Sequence, residues 1–225
     1  MNKWMAVILG MGLIPFPARA QSPPAEGPVL QMAPPGSEWN MTIRQENGPQ
    51  SPPAPTPASV HPTALRMRTG RNAVQHGTIT FSNGNRKDFY VVDGQVLQKY
   101  DNSEKIAIFP EEFPGIQALR RRDWPGLFWL AQAGTPEREM VGKTECFHFH
   151  QTGLAGSDLP ADFVFSAWIR TDTGHPLRVR LGAATYEFSE VTPFSGDVNL
   201  PANFQAAWKA FQTRLRVLKR LNSHR

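Results

Sequence analysis

The pentapeptide Cys146-Phe147-His148-Phe149-His150 sets three soft metal donors at alternate positions. On a strand, alternation puts Cys146, His148 and His150 on one face and both phenylalanines on the other. Thiolate and imidazole suit zinc or copper. Residues four apart on a strand stand ~13 Å apart while metal–ligand bonds span ~2.0–2.3 Å, so at most two neighbours could share an ion. A metal-binding function would rest on Cys146 and His148, but His61, His76, His175 and His224 add no clustered spacing, and neither a metal nor a cofactor is expected.

Other chemistries find less. Gly153-Leu154-Ala155-Gly156-Ser157-Asp158 lacks the Gly-x-Ser-x-Gly elbow that exposes a nucleophilic serine. No glycine-rich loop joins a strand to a helix, and Glu111, Glu112, Asp158 and Asp162 read as loop carboxylates. Arg120-Arg121-Arg122 could grip phosphate, yet a run of charge ordinarily decorates a solvated face. No enzyme is expected.

The elements that would carry these residues are mostly strands. Phe89-Tyr90-Val91-Val92 and Val96-Leu97-Gln98-Lys99-Tyr100 flank Asp93-Gly94, and Lys105 to Phe109 follows. An Asp-Gly pair between such runs is a strong hairpin signal, because a type I′ turn needs φ > 0 at both central residues. Further strands are expected at Glu38 to Glu46, Ala64 to Arg71, Thr78 to Phe81, Glu139 to Gln151, Phe163 to Arg170, around Leu177 to Leu181, and near Thr185 to Val191. Between Phe113 and Gln132 the period changes, and two short helices broken near Asp123 to Pro125 fit the pattern. Pro201 to Leu221 sets Phe204, Trp208, Phe211, Leu215 and Leu218 on one stripe with Lys209, Arg214, Arg216, Lys219 and Arg220 mostly off it. This basic amphipathic helix should dock on the sheet with a solvated cationic face; binding to a membrane surface or nucleic acid is the alternative.

Residues 1–20 combine Lys3, an apolar run from Trp4 to Phe16, and the small-x-small site Ala18-Arg19-Ala20, the pattern of a secretory signal peptide cleaved near Ala20. The run falls short of the ~20 residues that span a bilayer. Removing it lowers the formal charge from +5 to +3, too modest for nucleic acid to be the main partner. A single cysteine permits no internal disulfide, so stability in a periplasmic or secreted setting must come from a core. Residues 21–36 read as a Pro-rich disordered leader, residues 37–200 as the folded domain with a Pro-rich surface loop at 47–62, and residues 201–225 as the C-terminal helix.

The stretch Tyr90 to Asp101 and the later Ala167-Trp168-Ile169-Arg170-Thr171-Asp172-Thr173-Gly174-His175-Pro176-Leu177-Arg178 together resemble the LolA-like outer-membrane lipoprotein carrier superfamily. An Asp-Gly hairpin leading to a tyrosine and a Trp-Ile-Asp-like strand ending in a Thr-Gly-x-Pro turn recur there in these relative places. The resemblance covers roughly Trp39 to Val191, and a Pro-rich leader stands where the family has an amphipathic helix. It implies an α+β fold: a curved, incompletely closed antiparallel half-barrel with helices covering the concave face, here of about eight to ten strands. It also implies a non-enzymatic envelope protein whose partners are lipid or lipoprotein acyl chains held between sheet and lid, with Phe89, Val91, Phe109, Trp124 and Phe128 as apolar ligand-binding candidates. The alternative is a closed-core interaction module that engages envelope proteins or an anionic membrane surface through its basic helix.

Overall fold

The computed structural model describes residues 30–45, 60–100, 103–110, 124–155 and 159–222. The expected signal peptide, most of the leader and of the 47–62 loop, Glu111, Glu112, Asp158, the Arg120 to Arg122 run and the first of the two expected helices lie outside them. The described strands are β1 (Ser37–Gln45), β2 (Pro62–Thr69), β3 (Gln75–Phe81), β4 (Arg86–Val92), β5 (Gln95–Lys99), β6 (Ile106–Pro110), β7 (Glu137–Val141), β8 (Thr144–Thr152), β9 (Val164–Arg170), β10 (Pro176–Leu181), β11 (Ala184–Phe188) and β12 (Thr192–Pro193), followed by helix α1 (Ala202–Asn222). They form one curved antiparallel sheet, not closed into a barrel, in the order β6-β5-β4-β3-β2-β1-β11-β10-β9-β8-β7, with β12 beside β1.

Turn chemistry explains the path. Asp93 and Gly94 have φ of 49° and 70°, as the tight β4–β5 hairpin requires, and Val92 pairs with Gln95 directly across it. Twelve strands replace the eight to ten expected because Glu139 to Gln151 is two strands, turned at Gly142 (φ 64°), and because β12 adds a two-residue pairing. Where a second short helix was expected before Gln132, the chain instead makes turns and one 3-10 turn over Leu130–Gln132. Pro125-Gly126 dictates this: proline fixes φ for the second position of a type II turn, and Gly126 takes the positive φ (82°) that the third demands.

Strand alternation sorts the side chains onto two faces. Trp39, Met41, Leu65, Met67, Ile79, Phe89, Val91, Phe165, Ile169 and Val179 point to the inner face and belong to one buried cluster. Their neighbours Tyr90, Val92, Leu97, Ile106 and Ile108 point outward on β4 to β6, where Phe204 and Trp208 of α1 cover them in a second, smaller cluster. Helix α1 therefore packs on the side opposite the main core, and the inner side is crossed by the Trp124 to Gln132 segment, with Leu30 and Ala33 also packed against the cluster.

Gly77 on β3 faces Phe89 on β4 in register. A Cβ there would lie 2.0 Å from Phe89 Cζ and 2.7 Å from Met67 Sδ, so the ring lies where a side chain would otherwise stand. Gly77→Ala should cost about 1–3 kcal/mol by overpacking. The cost should shrink when Phe89→Leu is already present, because the two positions share one space. Urea unfolding of the four species checks this; additive losses would contradict it.

Candidate functional site

The inner face forms an apolar trough, and three side chains of the crossing segment are buried over it: Trp124 (3 % exposed), Leu127 and Trp129 (0 %). Trp124 lies 4.7 Å from Trp39 and edge-on to Phe188 at 5.7 Å, while Trp129 sits 5.4 Å from Phe165. The segment thus rests on β1, β9 and β11. Trp129 Nε1 donates to the Gly126 carbonyl (2.9 Å) within its own turn, so the ring is buried without a polar partner on the sheet. Trp124 Nε1 donates to the Gln31 carbonyl (2.8 Å), and Gln31 N–H in turn donates to Gly174 (3.0 Å).

Phe89, Val91 and Trp124 are buried in the trough cluster, and Phe109 packs against it half-buried. Phe128 sits at the rim: half its surface is exposed, while its ring is edge-on to the inward Phe165 at 6.3 Å. The candidate set Phe89, Val91, Phe109, Trp124 and Phe128 leaves out Trp129 and Leu127, which are also buried over the trough. Their signal is the Pro125-Gly126 turn, after which alternate residues face the sheet.

Among the polar side chains that interrupt the apolar lining are two buried glutamines, Gln75 and Gln98. Gln75 pairs with the inward Val91, and Gln98 with the inward Phe89, so both amides lie on the inner face, each more than nine-tenths buried. Their Oε1 atoms have no hydrogen-bond partner among the described residues. Gln75 and Val91 also border a cavity of about 110 Å³ beside the Asp93-Gly94 turn.

The Cys146 to His150 face points outward, as alternation requires, and is committed to packing. Burial pushes the Cys146 thiol up, which keeps it protonated and unreactive. His148 Nδ1 meets Glu139 Oε2 at 2.8 Å, Trp168 Nε1 donates to the same oxygen at 2.9 Å, and the His148 and Trp168 rings stack at 4.4 Å. His150 bonds Ser166 Oγ at 3.2 Å. Among the described residues no three His, Cys, Asp or Glu side chains are grouped to hold a metal ion.

A cleft of about 350 Å³ at the sheet's end is lined by Ser37, Arg170, Thr173, His175 and Glu190 together with Pro34, Val191 and Pro193. Arg170 is neutralised there by Glu190 (3.1 Å) and Asp172 (3.3 Å). Burial, reinforced by Arg170, pushes His175 below the usual histidine range, although Asp172 and a hydrogen bond with the Met32 backbone oppose this. Its ring lies 5.6 Å from Trp124, so the cleft abuts the crossing segment.

Two consequences are measurable. The unfolded chain protonates His175 near pH ~6.5 and the folded chain at a lower pH, so stability falls as pH drops from the first value through the second. Between about pH 7.5 and 5, the urea midpoint of the wild type should therefore fall more than that of His175→Gln; parallel losses would contradict this. Separately, Gln98→Met should raise the stability of the ligand-free chain by about 1 kcal/mol, because it removes a buried acceptor without a partner. A loss of that size would mean that the amide is satisfied.

No protein-family model matches the sequence, and no curated protein does. Among solved structures, the chain is similar to the lipoprotein LppX of Mycobacterium tuberculosis, with 12 % identity over 74 % of this chain and 90 % of that one and a TM-score of 0.39. It is similar to a LolA superfamily protein of Nitrosomonas europaea at 8 % identity over 76 % of this chain and 90 % of that one, TM-score 0.32. It is also similar to MucB at 12 % identity over 76 % of this chain, TM-score 0.42, where it spans 59 % of the longer protein. These are distant likenesses in the path of the backbone.

Proposed function

We propose that this is an exported, non-enzymatic envelope protein that binds or carries a lipid, a lipoprotein acyl chain or another apolar ligand between the sheet's inner face and the segment crossing it. One observation carries the reading. The crossing segment belongs to no strand pairing, and among its described residues its contact with the sheet is apolar, through Trp124, Leu127 and Trp129. Hydrophobic attraction is non-directional, so an acyl chain of similar area can replace such a cover without leaving backbone groups unpaired. Phe89, Val91, Phe109 and Trp124 would line the path, with Phe128 at its rim. No helix among the described residues is long and apolar enough to cross a membrane, and a signal peptide at residues 1–20 would account for export.

Native mass spectrometry of the gently purified chain tests this. A stoichiometric acyl species is expected; a clean apo mass that persists after incubation with envelope lipids would instead favour the closed-core interaction module. Phe128→Ala, at a half-exposed site, should weaken binding of a fluorescent fatty acid about tenfold with little change in melting temperature. Unchanged affinity would remove Phe128 from the site.

A further inference from the structure

We propose that the outer half of α1 is a docking surface for an anionic lipid bilayer. The helix begins on the sheet: Phe204 is buried, with Tyr90 edge-on at 4.9 Å, and Trp208 packs in the cluster formed by Val92, Leu97, Ile106 and Ile108. Those residues belong to β4, β5 and β6, and β6 is the last strand at that end of the sheet. Beyond Gln212 the docking stops, and every residue from Thr213 to Leu221 is exposed. At 1.5 Å per residue this is a projection of ~13 Å.

The apolar stripe does not stop with the docking. Leu215 (40 % exposed) and Leu218 (49 %) continue the line of Phe204, Trp208 and Phe211, with Leu221 (61 %) beside it. At ~100° per residue, Arg214 falls on one flank of this stripe and Lys219 on the other, with Arg216 further round on the Lys219 side. The 21 residues of α1 include no acidic side chain. Cations of the last turn, Lys219 and Arg220, are accounted for by the negative end of the helix dipole, but Arg214 and Arg216 lie before that turn.

Charge decides the occupant. A second copy of the helix would set two acid-free, cationic surfaces against each other, and a nucleic acid would leave the leucines wet. An anionic bilayer uses both features: leucines settle at the acyl boundary while guanidinium and ammonium groups reach the phosphates. The inference does not require a ligand in the trough.

Vesicle flotation tests it, with the chain purified as the cell processes it. The probes are phosphatidylcholine vesicles with and without about one-third phosphatidylglycerol. Binding is expected only to the anionic vesicles and should weaken with salt. Arg214→Gln, Arg216→Gln and Lys219→Gln together should lower it about 100-fold, at roughly fivefold per cation near the surface. Leu215→Ser with Leu218→Ser should also abolish it. All these positions are exposed, and both variants keep the native N-terminus, so the differences report the helix alone. Three results would overturn the proposal: no binding to anionic vesicles, equal binding by the charge variant, or self-association of the wild type that Leu218→Ser removes. The last would make a second copy the occupant.

Discussion

Strand β1 is hydrogen-bonded along both edges, to β2 on one side and to β11 on the other, and this double pairing makes one sheet of two meanders. Met41 sits opposite Leu65 in one direction and Phe188 in the other, so the second contact joins residues nearly the whole domain apart. Loop-closure entropy opposes such a contact, and it forms because the strand brings Trp39 and Met41, both almost fully buried, to the middle of the shared inner face. Ser37 and Glu38 extend the same strand to β12, and the Ser189 N–H donates to the Asn40 carbonyl, which fixes the register at that end. Without β1 there would be two ribbons and no trough.

Once the trough exists, period-two alternation decides what each face can do. The inner face gathers large apolar side chains from both wings, and the outer face carries cross-strand charge. Glu38 takes hydrogen bonds from Arg66 and Arg68; partial burial pushes its carboxyl up, and the two guanidiniums more than offset that, so it lies below the usual range. Glu187 bridges Arg44 and Arg178, and Arg178 lies over Trp168 at 5.7 Å. Exposed pairs of this kind contribute little stability, roughly 0–1 kcal/mol each. Their arrangement keeps the outer side wet and leaves the inner face and the α1 seam as the two apolar surfaces.

The parts of this legible in the sequence are those set by local chemistry. Asp93-Gly94 announces its hairpin because few other residues tolerate both positive φ values, and the Trp168 strand with its Thr173-Gly174 turn is equally local. That Cys146, His148 and His150 share one face followed from alternation alone, whereas the register with β9 decides that this face is the outer one. What was not legible depends on partners distant in sequence. Periodicity between Phe113 and Gln132 suggested helix, yet Pro125-Gly126 and the fit of Trp129 against Phe165 prevail after Trp124, and Phe128 is left half exposed as a result. The stripe of α1 is continuous in sequence, and only the position of β6 at the end of the sheet shows that, among the described residues, half of it has nothing beneath. Gln75 and Gln98 look like ordinary strand polars until the register places them inside.

The central claim is that the Trp124 to Gln132 segment is a separable cover on a permanent sheet. Residue-resolved hydrogen exchange reads this directly, because the amides of Leu130 and Gln132 bond within the segment, to Leu127 and Trp129. These amides should exchange through an opening with a lower free energy and a smaller denaturant dependence than amides in β1 and β9. If they exchange only with the strands, at the same free energy and the same denaturant dependence, the segment is an inseparable part of the core and the trough has no cover to lift.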